Sequence, residues 1–201
     1  MVVEGDRSTR RIGEVIESNT FEVVAQCYEL YDSPPLGSLI SIGSPPIYAA
    51  VKLITTQPLD PSRPILARGE NATTEDEVYQ DNPQIPRLLT TRFEGLLIGH
   101  QQNEIDNPYL PPLPPRVHSF VYTCGEDVIS RITSDLTFLR LIVSQIERVS
   151  DDVIGAFIRM ANTCQSRDEE FLLKAGRVLA QELSGDFPRL NSILRSVKPR
   201  L

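Results

Sequence analysis

Tyr109-Leu-Pro-Pro-Leu-Pro-Pro115 separates two stretches of chain with different hydrophobic periods, and no single regular element runs through it. Proline lacks a backbone N–H and holds φ near −65°, so four prolines within the five residues 111–115 end any helix or central strand. Before the run, apolar residues alternate with polar ones or stand in short blocks between Gly/Pro turns. After it they recur at spacings of three and four. The expected fold class is therefore α+β: a small closed antiparallel β-barrel followed by a bundle of about four helices. The expected boundaries are 1–110 for the barrel, 111–116 for the connector and 117–201 for the helical domain.

In the front half, Arg11-Ile-Gly-Glu-Val-Ile-Glu alternates apolar and polar residues, Asn19-Thr20 punctuates, and Phe21-Glu-Val-Val-Ala-Gln-Cys-Tyr resumes. That reads as two strands joined by a turn. Turn clusters at Ser33-Pro-Pro-Leu-Gly37 and Gly43-Ser-Pro-Pro46 precede Ser38-Leu-Ile-Ser-Ile and Ile47–Ile54, two further strands. Pro64–Gly69 reads as one more short strand, 70–86 as an acidic loop or lid, and Leu88–Gly99 as a last strand or pair bent at Gly95. Closing such short strands into a barrel removes exposed sheet edges.

Beyond the run, Val117–Cys124 reads as a short extended element, and Gly125-Glu-Asp-Val-Ile leads into the helical pattern. Leu136, Leu139, Ile142, Val143 and Ile146 share one helical face within 134–149. A second helix follows Asp151 and Asp152, a third opens on the capping-box spacing Ser166-Arg-Asp-Glu169, and Asp186 starts a fourth.

Composition limits the function classes. Hydrophobic residues make up 40% and charged residues 23%, the balance of a folded globular chain. No apolar run approaches the roughly 20 residues of a membrane-spanning helix, the amino terminus lacks the pattern of a signal peptide, and three scattered cysteines make no disulfide framework. A soluble protein of the reducing cytoplasm, with no membrane partner, is expected. The formal charge of −7 is uneven: to Pro115 there are 8 basic residues against 16 acidic, and beyond it 12 against 11. An acidic front half repels a phosphate backbone, which disfavours it as a nucleic-acid surface.

Catalytic signatures are missing. No glycine is followed by lysine, so there is no P-loop to cradle phosphates, and no Gly-x-Gly-x-x-Gly follows a strand. Cys27, Cys124, Cys164, His100 and His118 lack zinc-ligand spacing; Cys124 and His118, six residues apart, are the only pair to consider for a thiolate nucleophile. Glu75/Asp76/Glu77, Asp151/Asp152 and Asp168/Glu169/Glu170 are explained by solvation and helix N-termini. No catalytic residue, metal or cofactor is expected. The candidate interaction segment is Tyr109, Leu110, Pro111, Pro112, Leu113, Pro114 and Pro115, whose Pro-x-x-Pro spacing favours polyproline II, although a rigid connector has the same composition. The basic end, Arg195-Ser-Val-Lys-Pro-Arg-Leu201, suits a phosphate or an acidic partner, although a helix C-terminus alone explains it.

Arg11-Ile-Gly-Glu-Val-Ile, Phe21-Glu-Val-Val, Pro35-Leu-Gly-Ser-Leu-Ile-Ser-Ile and Ile47-Tyr-Ala-Ala-Val-Lys-Leu-Ile resemble, in order, the barrel domain shared by HerA-type translocases and rotary ATP synthase subunits, the HerA–ATP synthase (HAS) barrel. Pro114-Pro-Arg-Val-His-Ser-Phe-Val-Tyr is similar to the exit from that barrel into the ATPase core. The 86 residues that follow Pro115 carry no P-loop, so no catalytic residue of the family is carried over. The resemblance implies a barrel that lies at subunit contacts and helps set assembly. The expected function is a non-catalytic assembly or adaptor module, bound to an ATPase-type machine or to itself. The alternative is an accessory protein of a nucleic-acid-processing complex, and the third reading is an enzyme of unrecognised type.

Overall fold

The structure, a computed structural model, describes residues 9–145, 149–165 and 169–197. Among these, seven strands form one antiparallel sheet: β1 (Arg11–Ser18), β2 (Glu22–Cys27), β3 (Leu39–Ile42), β4 (Ile47–Pro58), β5 (Leu89–Gln102), β6 (Ile105–Asn107) and β7 (Phe120–Thr123). Seven helices accompany them: α1 (Glu75–Asp81), α2 (Ile85–Leu88), α3 (Glu126–Thr133), α4 (Thr137–Ser144), α5 (Asp151–Cys164), α6 (Glu169–Glu182) and α7 (Phe187–Val197). The fold is mixed α+β. Neighbouring strands follow the order β2-β1-β7-β3-β4-β5-β6, and β2 also pairs with β5. The proline run joins β6 to β7, and β7 lies between β1 and β3, so chain from both sides of the run enters the same sheet.

The period-two pattern sorts side chains between the two faces of this sheet. Ile12, Val15, Val23, Ala25, Ile40, Ala49, Phe93, Leu97 and Val121 pack together on one face with other strand residues. Their neighbours Leu39, Tyr48, Ala50, Leu96 and Ile98 point the opposite way and pack against the helices. Because both faces are covered, Leu96-Leu97-Ile98 and Tyr48–Val51 are buried without alternation.

Helix α5 is the centre of the helical layer. Val153, Ile154, Phe157, Ile158 and Ala161 are buried along it, and Phe157 meets Phe138 of α4 with ring centroids 5.1 Å apart. Two glycines set how closely α5 is approached. Gly37 has φ +78, and a Cβ there would stand 2.6 Å from the backbone nitrogen of Phe157, so the turn before β3 lies directly on α5. At Gly155 a Cβ would stand 1.8 Å from Ser196 Oγ, which lets α7 cross close against α5. Arg189 Nε, bonded to Asp151 Oδ1 at 2.8 Å, fastens the same helix pair. Asp106 of β6 accepts from Tyr48 Oη at 3.1 Å and from Gln101 Nε2 at 3.2 Å and pairs with Arg131, tying the sheet to α3.

Several expectations are corrected. Five helices follow the proline run among the described residues, not about four, because the pattern at 134–149 breaks at its start. Asp135 Oδ1 accepts from Thr137 N at 2.8 Å and opens a new helix there, leaving 126–133 as a separate one. The second helix is entered through Ser150 as its N-cap, with Asp151 and Asp152 in its first turn. Pro64–Gly69 is irregular, and the acidic loop at 70–86 contains α1 and the start of α2. β5 is a single strand of 14 residues, and a two-residue turn returns it to the unanticipated β6. Asn103 and Glu104 in that turn have φ +50 and +63, the type I′ pattern of a tight hairpin. Ile146 and the capping-box residues Ser166, Arg167 and Asp168 lie outside the described residues.

Candidate functional site

β4 and β5 project together past the end of the sheet, because β3 pairs with β4 only as far as Leu39 opposite Ala50, while β4 and β5 stay paired to Pro58 and Leu89. A register shift between Val51 and Leu53 marks the bulge at which β4 leaves β3. The bulged residue, Lys52, has a side chain only 8% exposed, with Nζ 2.5 Å from Glu22 Oε2 and 3.2 Å from Glu94 Oε2. Its charge is thus spent between β2 and β5.

From the tip of this ribbon the chain makes an excursion, residues 59–88, that is closed at its neck by Leu59 N donating to Leu88 O at 2.8 Å. No residue of this arm is buried. It is nonetheless ordered by polar groups. Thr74 caps α1 by accepting from Glu77 N at 3.3 Å, while Glu77 Oε2 accepts from Thr73 N at 2.6 Å. Arg68 Nη1 donates to Asn82 Oδ1 at 3.1 Å, and the Tyr79 hydroxyl meets that of Tyr31 at 2.8 Å. That hydrogen bond holds the Tyr31 phenol above its ordinary pKa.

The arm and ribbon tip enclose a groove of about 620 Å³ lined chiefly by Pro58, Leu59, Pro64, Ile65, Leu66, Val78, Ile85 and Leu88, with Asp60, Arg63 and Arg68 at its polar positions. Leu59, Ile65 and Leu66 are 52%, 58% and 68% exposed, an apolar surface that single scattered residues do not explain. The motif readings do not point to this site. Its apolar residues are spread over 30 positions without a period, and the legible signal was the T-x-x-E capping spacing at Thr74 and Glu77.

His100 Nδ1 donates to Tyr109 O at 3.2 Å, and its ring meets that of Tyr109 edge-on. Leu110 packs on the sheet, Pro111 and Pro115 are buried, and Ser18 Oγ donates to Pro115 O at 2.6 Å. The run is therefore a strap fastened along the sheet. Each of its Pro-x-x-Pro pairs, 111/114 and 112/115, has one buried member, while Tyr109, Pro112 and Leu113 remain exposed. Glu75, Asp76 and Glu77 form the first turn of α1, where the helix dipole favours them. Asp151 is paired with Arg189.

Cys124 and His118 each have another partner, Ser41 and Glu14. Burial pushes the Cys124 thiol up to about 12, and its hydrogen bond with Ser41 offsets this only in part. His118 is exposed and stands with Nδ1 3.5 Å from Glu14 Oε1. Burial likewise raises Cys27 to about 11 and keeps it a thiol. Among the described residues, no three His, Cys, Asp or Glu side chains are grouped to hold a metal ion, and no helix is long and apolar enough to cross a membrane. In the basic end, Arg195 falls in the last turn of α7, and 198–201 lie outside the described residues. Comparison of the chain with known protein families and with curated proteins finds no match.

Proposed function

We propose that the chain is a non-catalytic assembly or adaptor module of the cytoplasm, engaging a protein partner, an ATPase-type machine or further copies of itself, through the arm at 59–88. One observation carries this reading: the arm holds six large apolar residues around one groove yet buries none of its 30 residues in its own fold. Apolar surface of this kind is stabilised when a partner removes it from water, by about 25 cal/mol per Å². The groove's charged members are Asp60, Arg63 and Arg68, and Asp60 is paired with Arg63 at 3.4 Å. The exposed part of the proline strap, Tyr109, Pro112 and Leu113, is a secondary candidate surface.

The module's rigid part, in this reading, is a closed six-stranded barrel of the type the HAS resemblance implies, with β6 appended. Two features support it. Pairing of β2 with both β1 and β5 makes the succession β1-β7-β3-β4-β5-β2 return to its start. A Cβ at Gly95 would meet Val23, Ile40 and Ala49 at 3.1–3.4 Å, side chains from β2, β3 and β4 converging on one interior.

Affinity purification from the native cell, with wild type and Leu66→Glu in parallel, tests the proposal. Leu66 is exposed, so the variant folds. A protein recovered in stoichiometric amount with wild type and lost with the variant is the expected result. Recovery of the same proteins by both, or of none by wild type, overturns it.

A further inference from the structure

Among the described residues, the outer edge of β4 beyond its bulge has no partner strand. β3 pairs with β4 no further than Leu39 opposite Ala50, and the two bonds Val51 N to Ser38 O and Gly37 N to Val51 O are the last that β4 makes on that side among the described residues. Leu53-Ile-Thr-Thr-Gln57 then continues as strand, hydrogen-bonded to β5 alone. The direction of its backbone groups follows from the neck of the arm. Leu59 N points at Leu88, so by the alternation of an antiparallel ladder Gln57, Thr55 and Leu53 also face β5. Ile54 and Thr56 therefore turn both N–H and C=O outward. Pro58 has the same outward parity, which is where a strand tolerates a proline.

Edges of this kind are ordinarily guarded by charge, proline, a bulge or a covering segment. Here the bulge and Pro58 bracket the stretch, and the five residues between carry no guard. Lys52, the adjoining cation in the chain, is folded onto Glu22 and Glu94, and Arg92, across the ladder from Thr55, belongs to β5 and not to the edge. Leu53 and Ile54 are 47% and 37% exposed.

We infer that this edge pairs with the same edge of a second copy, antiparallel about a two-fold axis through Thr55. Centred there, Ile54 faces Thr56 of the other copy, and those are the two residues whose polar groups point outward, so the four bonds of two ladder pairs close together. Thr55 meets its own equivalent in the intervening non-bonded pair, a favourable cross-strand combination. The self-complementary register at Ile54 and Thr56 is what fits a second copy, and charge confines such pairing to this strip. The chain to Pro115 carries 8 basic against 16 acidic residues, so two copies repel over most of this half, whereas 53–57 is uncharged. Pro58 and Leu59 continue the edge into the apolar groove, which places the two arms beside the new interface. This deepens the assembly role proposed above and rests on it only for the arm, not for the edge.

Sedimentation equilibrium of the full chain tests it over about 1–500 µM, since mass action makes association depend on concentration. The average mass is expected to rise from one chain towards two. Thr56→Pro removes one outward N–H per copy without touching the ladder to β5, and raises Kd about tenfold or more, whereas Thr56→Ala keeps the N–H and the dimer. Ile54→Lys places a charge on the edge and abolishes pairing; it serves if Thr56→Pro loses its native circular dichroism. A monomer throughout this range overturns the inference, as does a folded Thr56→Pro or Ile54→Lys that dimerises like wild type. Capture of a different protein through Leu66 with the chain still monomeric would overturn the self-pairing and leave the adaptor role standing.

Discussion

At the scale of single residues, two glycines report opposite sides of the same physics. Gly37 sits at φ +78, where an L-residue costs about 1–2 kcal/mol, and any Cβ there would press on the α5 backbone at 2.6–2.7 Å. Backbone cannot swing aside as a side-chain tip does, so overpacking adds about 1–3 kcal/mol. Gly37→Ala is expected to destabilise the protein by about 2–5 kcal/mol in urea unfolding. Gly176, inside α6, has nothing within 4 Å of the place its Cβ would occupy. Gly176→Ala therefore meets no clash, improves helix propensity and stabilises by about 0.5–1 kcal/mol. The same titration measures both, and equal signs for the two would sink the packing account of Gly37.

Elements were legible in proportion to how strongly their period showed. β1 to β4 were readable because Ile12, Val15, Val23, Ala25, Ile40 and Ile42 recur at or near every second residue between turn clusters, and the β4 reading fell short only in its last four residues. β6 was not, since a type I′ turn usually announces itself with Asn-Gly and this one places Glu104 at φ +63. α3 has no visible end in the sequence, because Ser134-Asp135 interrupts the helical pattern without Gly or Pro. Of the candidate site, the sequence showed the acid trio and the prolines but not the groove. Leu59, Ile65, Leu66 and Leu88 come together only through the neck bond between Leu59 and Leu88, a pairing 29 residues apart. α1 illustrates what an element does without a core. It buries no residue, so its Thr74 cap holds a local structure and not the global fold. Thr74→Ala is expected to cost about 1 kcal/mol in local opening. Amide exchange should speed at 77–81 while the melting temperature stays within a degree or so, and a large fall in melting temperature would show that the arm is packed more tightly than its exposure implies.

For the molecule as a whole, the helices share a core with one row of sheet residues, while the proline strap packs through Leu110 on the sheet's other cluster. Leu39, Tyr48, Ala50, Leu96 and Ile98 belong to the strands yet pack with Phe138, Ile154, Phe157 and Ile158. Burying side chains of this size contributes about 1.5–3 kcal/mol each, and a domain's net stability is only about 5–15 kcal/mol. A fragment ending at Pro115 loses twice over: it lacks β7, leaving β1 and β3 without the strand between them, and it exposes the helix-facing row of the sheet. Extending it to Cys124 restores β7 but not the cover. Neither fragment is therefore expected to give dispersed amide signals in a heteronuclear NMR spectrum, whereas the chain through Val197 should. A well-dispersed spectrum from residues 1–124 would mean that the sheet's own interior, built on Val15, Ile40, Phe93 and Leu97, suffices without the helices. The helical layer would then be an addition to a self-sufficient sheet, and its Gly37–Phe157 approach a docking contact instead of part of a common core.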